Sequence, residues 1–209
     1  MNNFLCLHGI YQNSFIIKKS MMPILSLYIA NGIFIDAPIK IESKYLDKDF
    51  LKKLKFLNKD FAPNQYYGWW VKNNINTDHD VLQYISKEII KNSKKNIKIN
   101  GVIGISQGAS LASLLLTKNF HKNFNLFNNG ITIDNGIFIS GFLSSNDFHK
   151  KMYNDGFVFS KNYHIYGYKD KVIKPNESIG LYEYMVKSND NINKLLRHDG
   201  GHIIKHYLK

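Results

Sequence analysis

The chain has 209 residues, enough for one α/β domain that buries about 70% of its unfolded surface. Its 44% hydrophobic and 21% charged content is that of a globular protein, and no run approaches the roughly 18 apolar residues of a membrane span, which excludes stable membrane insertion. The net charge of +12 comes from lysines scattered among asparagines, with Arg197 the only arginine, a pattern that argues against bidentate phosphate or base contacts and so against nucleic-acid binding.

In chain order, short apolar runs alternate with helical periods. Residues 4 to 8, "FLCLH", read as a buried strand ending at Gly9, and 14 to 30 as a helix in which Pro23 marks a break or restart. "IFIDA" at 33 to 37 makes a second strand, ended by Pro38. Residues 40 to 76 lack a clean period and read as a long loop or cap excursion with one helix around 47 to 57. The apolar spacing of 81, 82, 85, 89 and 90 predicts a helix over 77–93, with Thr77 or Asp78 as its N-cap. "INGVIGI" at 99–105 is a strand and 107–119 an Ala/Leu-rich helix. Strands at 135–140, 163–168 and 191–196 follow, with helices near 146–153 and at 175–188, the last started by Pro175. Regular alternation predicts a three-layer, doubly wound α/β fold of about six mainly parallel strands in a single domain.

Cys6 is the only cysteine, inside an apolar run, and the N-terminus lacks the basic segment and cleavage site of a secretory signal. Both suit a reducing, cytoplasmic setting.

In such sheets ligands bind beyond the carboxyl ends of the strands, so the residues after each strand carry the functional argument. Gly104-x-Ser106-x-Gly108 follows the strand at 99–105 and precedes a helix. The five-residue spacing alone recurs by chance in roughly one chain in fourteen of this length, so its context decides. A serine hydroxyl becomes a nucleophile only when an imidazole takes its proton and an acid orients that imidazole. Asp170 follows "YHIYGYK", and His202 follows the last strand in "RHDGGH", where two glycines allow close backbone approach. Serine, acid and base then stand in the order of the α/β-hydrolases. The oxyanion hole needs one backbone N–H from Gln107 and a second from "LHGIYQN", with Ile10 the leading donor and Tyr11 next.

Weighed against these are the plainer roles. Asp199, the rival acid, lies in the same loop as His202 and reads as a turn residue, and Asp36 reads as structural. His8 fits a core histidine that braces the oxyanion loop. His198 and His206 flank His202 at four-residue spacing, but Gly200 and Gly201 break the helix that a metal site would need, so no metal is expected. Trp69 and Trp70, one of them as a pocket wall, and Phe142 are the candidate substrate contacts together with Tyr11. "KKLKFLNK" at 52–59 reads as a solvated helix face.

The blocks "LCLHGIYQN" at 5–13, "FIDAP" at 34–38, "GWW" at 68–70, "GVIGISQGASLA" at 101–112, "ISGF" at 139–142, "YGYKDKVI" at 166–173 and "HDGGH" at 198–202 occur in one order over most of the chain. In this the chain resembles the FSH group (family of serine hydrolases) within the α/β-hydrolases, and more distantly the acyl-protein thioesterases and carboxylesterases. The resemblance implies an esterase or thioesterase-like serine hydrolase with Ser106, Asp170 and His202 as its triad, a small-molecule or acyl ester or thioester substrate, and no cofactor. After the GGH block the chain has "IIKHYLK" where that family usually has a proline, so the final helix is expected to be short or missing. That departure keeps a second expectation open, a hydrolase-fold binding or scaffold protein without turnover. Acyl length and oligomeric state are not readable from the sequence.

Overall fold

The computed structural model describes residues 2–27, 29–42, 66–70, 76–188 and 192–202. The elements are β1 (Asn2–Leu7), α1 (Ser14–Leu27), β2 (Ala30–Phe34), β3 (Ile39–Ile41), β4 (Tyr66–Gly68), α2 (Asn76–Ser93), β5 (Ile99–Ile105), α3 (Gln107–Leu115), α4 (Lys118–Asn123), β6 (Asn135–Ile139), α5 (Asp147–Met152), β7 (Lys161–Gly167), α6 (Pro175–Ser188) and β8 (Ile192–His198). Six strands form one sheet in the order β2-β1-β5-β6-β7-β8, every neighbouring pair parallel. The expected doubly wound α/β architecture is therefore present. Among the described residues no helix is long and apolar enough to cross a membrane.

Strand periodicity divides the core into two layers. Leu5, Leu7, Val102 and Phe138 pack with α2, α3 and α6 residues such as Leu82, Ile85, Leu111 and Leu181. Phe4, Cys6, Ile103, Ile105, Ile137 and Ile139 face the other way, onto Ile17, Met21, Ile24 and Leu25 of α1. Helix α1 runs unbroken through Pro23, contrary to the expected break. Its buried stripe continues on both sides of the exposed proline, and Asn13 caps its start by accepting from the Ile16 N–H at 3.0 Å.

The other boundary differences have local causes. β2 occupies 30–34 rather than 33–37, because β1 begins at Asn2 and pairs Asn2 with Ala30 through Cys6 with Phe34. Beyond Phe34 the chain turns to other partners: Asp36 Oδ1 accepts from the Ser14 N–H at 2.6 Å, and the Ala37 N–H donates to His8 Nε2 at 2.9 Å. Asp36 is thus a structural cap, as expected. The 107–119 helix is two helices, interrupted where Thr117 accepts from the Phe120 N–H and starts α4. Within the expected excursion, β3 and β4 form a small antiparallel ladder, Ile39–Gly68 to Ile41–Tyr66, which the sequence reading did not foresee. The helix expected at 47–57, with its "KKLKFLNK" face, and the final segment from 203 onward lie outside the described residues.

Candidate active site

The strand order reverses at β1 and β5, and the loops that leave these two strands meet. Ser106, the residue after β5, adopts φ 55° and ψ −121°, a conformation that disfavours any residue with a side chain. Its N–H donates to the Ile139 carbonyl at 2.8 Å, and its own carbonyl accepts from Ala109 and Ser110, so strand β6 and helix α3 hold the turn from both sides. The flanking glycines are required by contact. A Cβ on Gly104 would stand 2.1 Å from the Gly108 carbonyl oxygen, and one on Gly108 would stand 2.3 Å from that of Leu7. Helix, turn and β1 approach so closely that only hydrogen fits at both positions.

The loop after β1 is pinned group by group. The Gly9 N–H donates to Gln12 Oε1 (2.9 Å), and the Tyr11 N–H donates to the Tyr67 carbonyl (2.8 Å), so Tyr11 is not an available oxyanion donor. His8 is fully buried, and burial pushes its pKa down to about 4. Because its Nε2 accepts from Ala37, the neutral ring carries its proton on Nδ1 and donates to the Gly9 carbonyl at 2.7 Å. In a trans peptide the C=O and the next N–H point opposite ways, so anchoring the Gly9 oxygen turns the Ile10 N–H outward. Among the described residues neither the Ile10 nor the Gln107 N–H makes a hydrogen bond. They are the two N–H groups that the sequence names as candidate oxyanion donors, and the His8 ring links the Gly9 carbonyl beside them to the Ala37 N–H.

The strap at 66–70 locks onto both loops. Tyr67 bridges Gln12, the Gln107 side chain accepts from the Trp69 N–H (2.9 Å) and donates to the Trp70 carbonyl (2.8 Å), and Gly68 lies against Ile10 and Gln107. Trp69 is fully buried, its ring tilted against that of His8 and its indole N–H on the His8 carbonyl at 2.7 Å. It belongs to the core beneath the loop and forms no wall of a substrate pocket. Trp70 remains partly exposed, edge-on to the buried His149, and Tyr11 and Phe142 are partly exposed as well.

Asp170, buried in the turn after β7, is held through both oxygens. Oδ1 accepts from the Val172 and Ile173 N–H groups (2.8 and 3.0 Å), and Oδ2 accepts from the Ser140 hydroxyl (2.9 Å) and pairs with His202 Nδ1 (2.8 Å). Burial alone raises its pKa, but the His202 hydrogen bond and charge, the Val172 N–H and the Ser140 hydroxyl outweigh burial and hold the carboxyl below the usual range. His202 is 22% exposed at the side chain. Its loop is stitched to the acid loop by Tyr168 N–H to the His198 carbonyl (2.7 Å) and Lys169 N–H to the Gly200 carbonyl (2.9 Å). The glycine that permits this crossing is Gly167, where a Cβ would stand 2.4 Å from the Gly201 carbonyl oxygen, whereas a Cβ on Gly201 has ordinary room.

Asp199 is exposed and pairs with Arg197 at 2.9 Å, away from the His202 ring. Ser106 Oγ and His202 Nε2 are not hydrogen-bonded to each other or to any other described group. Among the described residues no group of His, Cys, Asp or Glu could hold a metal ion; His206 lies outside them. Two cavities, of about 310 Å³ at the start of β5 and about 450 Å³ along Lys87, Ile90 and Lys91 of α2, are both remote from Ser106. They do not bear on this chemistry.

Ser140 and Gly167 were missed by sequence reasoning. Ser140 was absorbed into a strand drawn to 140, whereas β6 ends at Ile139 and Ser140 turns to φ 48°.

The profile of the family described as Serine hydrolase (FSH1) matches residues 1–205. "Family of serine hydrolases 3" of Saccharomyces cerevisiae is 28% identical over 178 residues, 80% of this chain but only 64% of that protein. "Esterase OVCA2" of Danio rerio is 26% identical over 211 residues, covering 96% of this chain and 88% of that one. Among solved structures, Arabidopsis thaliana SOBER1 superimposes with a TM-score of 0.62 at 14% identity, over 97% of this chain and 91% of that one, a likeness of fold.

Proposed function

The chain belongs to the serine hydrolase family (FSH1), and from that membership we propose that it cleaves carboxylic esters or thioesters through an acyl-enzyme on Ser106. Ser106 Oγ attacks the acyl carbonyl carbon while His202 Nε2 takes its proton, and Asp170 holds the ring by Nδ1 and stabilises its charged form. The Ile10 and Gln107 N–H groups receive the oxyanion. His202 then returns the proton to the departing alcohol or thiol, activates a water against the acyl-enzyme, and Ser106 is regenerated with release of the acid. The reaction requires no cofactor. Tyr11, Trp70 and Phe142 contact the substrate.

The observation that carries this reading is the strained Ser106 turn at the sheet's switch point, beside the 2.8 Å Asp170–His202 pair. The missing Ser106–His202 hydrogen bond fits a base that closes on the hydroxyl when substrate binds, since such bonds are often long in unliganded enzymes. The same observation favours the second reading, a hydrolase-fold binding protein without turnover. Hydrolysis of nitrophenyl esters of increasing acyl length separates them. Turnover by the wild type that disappears in Ser106→Ala supports the hydrolase, and absence of turnover across the series leaves the binding protein.

A further inference from the structure

The carboxylate of Asp170 has a hydroxyl partner that the reaction above does not use. Ser140 is 1% exposed, and its Oγ stands 2.9 Å from Asp170 Oδ2. An ionised carboxylate has no proton to give, so the Ser140 hydroxyl is the donor. The serine sits at φ 48°, where glycine would be easier, and the next residue is Gly141. Its N–H donates to the Ile165 carbonyl at 2.8 Å, which ties the turn after β6 to β7, the strand that carries the acid loop. A side chain is thus kept in a conformation that disfavours one, aimed at one oxygen.

We propose that Ser140 is a positioning residue for the Asp170–His202 pair: it holds the oxygen that also accepts from His202, and so sets the direction and basicity of that carboxylate. This rests on the reading of Asp170 as the acid and His202 as the base. Oδ1 is fixed separately by the Val172 and Ile173 N–H groups, so the carboxylate plane is defined by donors at both ends. Oδ2 without Ser140 keeps one partner, the ring of a partly exposed loop residue. It becomes more basic, and its greater negative charge toward His202 favours the protonated imidazole. The titratable groups facing Asp170 are His202 at 2.8 Å and, farther off, His198; the neighbouring Lys169 and Lys171 are exposed.

The test uses Ser140→Gly, which removes the hydroxyl and relieves the backbone, with Ser140→Ala as a second variant that retains the Cβ. A ¹³C-carboxyl NMR titration of Asp170 reads the proposal without requiring turnover, and its midpoint is expected to rise by about one pH unit in both variants. On a nitrophenyl ester, kcat is expected to fall about tenfold with KM unchanged, and the acid limb of kcat/KM to move to higher pH, while the thermal midpoint of Ser140→Gly stays level or rises. A merely structural serine would shift the thermal midpoint and leave the titration and the acid limb in place. An unchanged Asp170 titration in Ser140→Gly overturns the proposal. If the wild type hydrolyses nothing, the hydrolase reading falls, and the carboxyl titration alone decides the role of Ser140.

Discussion

The two halves of the candidate site are built differently. The nucleophile half, Gly9 to Gln12 with Ser106 to Gly108, is clamped by β1, β6, α3 and the 66–70 strap, and a Cβ at Gly104 or Gly108 would strike backbone at 2.1 or 2.3 Å. The base half hangs from the edge strand β8, where Ile192 and Leu196 are 48% and 44% exposed, and reaches the acid through hydrogen bonds of the 167–202 crossing. The nucleophile half is part of the core, so its geometry and the fold's stability stand or fall together. The base half can be altered with little loss of fold. Electrostatic stabilisation of the oxyanion needs fixed donors, whereas proton transfer tolerates a base that repositions.

That contrast can be broken in three places. His202→Ala is expected to lower kcat/KM by about 10³–10⁴-fold with a smaller drop in thermal midpoint than Gly104→Ala, since Asp170 keeps its Ser140, Val172 and Ile173 donors; a loss of stability as large as that of Gly104→Ala would erase the distinction. Gly104→Ala should fail the other way, losing about 3 kcal/mol and roughly 10 °C in thermal midpoint, with activity falling only as folded protein is lost. Gly167→Ala sits between them: its Cβ meets the Gly201 carbonyl, the more exposed partner, so the His loop gives way. Its kcat should fall about 10²-fold with about 1 kcal/mol of stability, measured by urea unfolding beside ester kinetics.

A separate effect is that of pH on the core. His8, His121, His149 and His164 are each pushed down to about 4 by burial, below the roughly 6.5 of the unfolded chain. The unfolded chain binds more protons in that interval, so their contribution is fully present above about pH 6.5 and is lost as pH falls toward about 4, by at most about 1.4 kcal/mol per unit for each histidine. Thermal midpoints measured across this interval should fall with acid, and His164→Phe, with its ring between Phe138 and Tyr182, should flatten the slope. A flat profile in the wild type would mean the rings are solvated.

Much of this was legible from the sequence because the strongest patterns are local. β5 and α6 fall where apolar runs, Gly and Pro placed them, at Ile99–Ile105 and Pro175–Ser188, and among the residues after the strands Asp170 pairs with His202 and Gly9 lies against Ser106. What was not legible depends on tertiary partners. Strands of three residues, as in β3 and β4, have no period to read. Trp69 and Trp70 are adjacent and chemically alike, yet only the fold decides that the first goes beneath His8 and the second stays partly exposed. Ser140 was hidden by a strand end misplaced by one residue, and Gly167 by the fact that its neighbour, Gly201, is 34 residues away along the chain.

The central claim, that Ser106 is a nucleophile made reactive by its turn and by the Asp170–His202 pair, is tested most directly by treating the folded protein with a fluorophosphonate and mapping the adduct by peptide mass spectrometry. The account predicts a single adduct on Ser106, lost in Ser106→Ala and formed far more slowly in His202→Ala. Modification elsewhere, equal labelling of Ser106→Ala, or none in the folded wild type would contradict it.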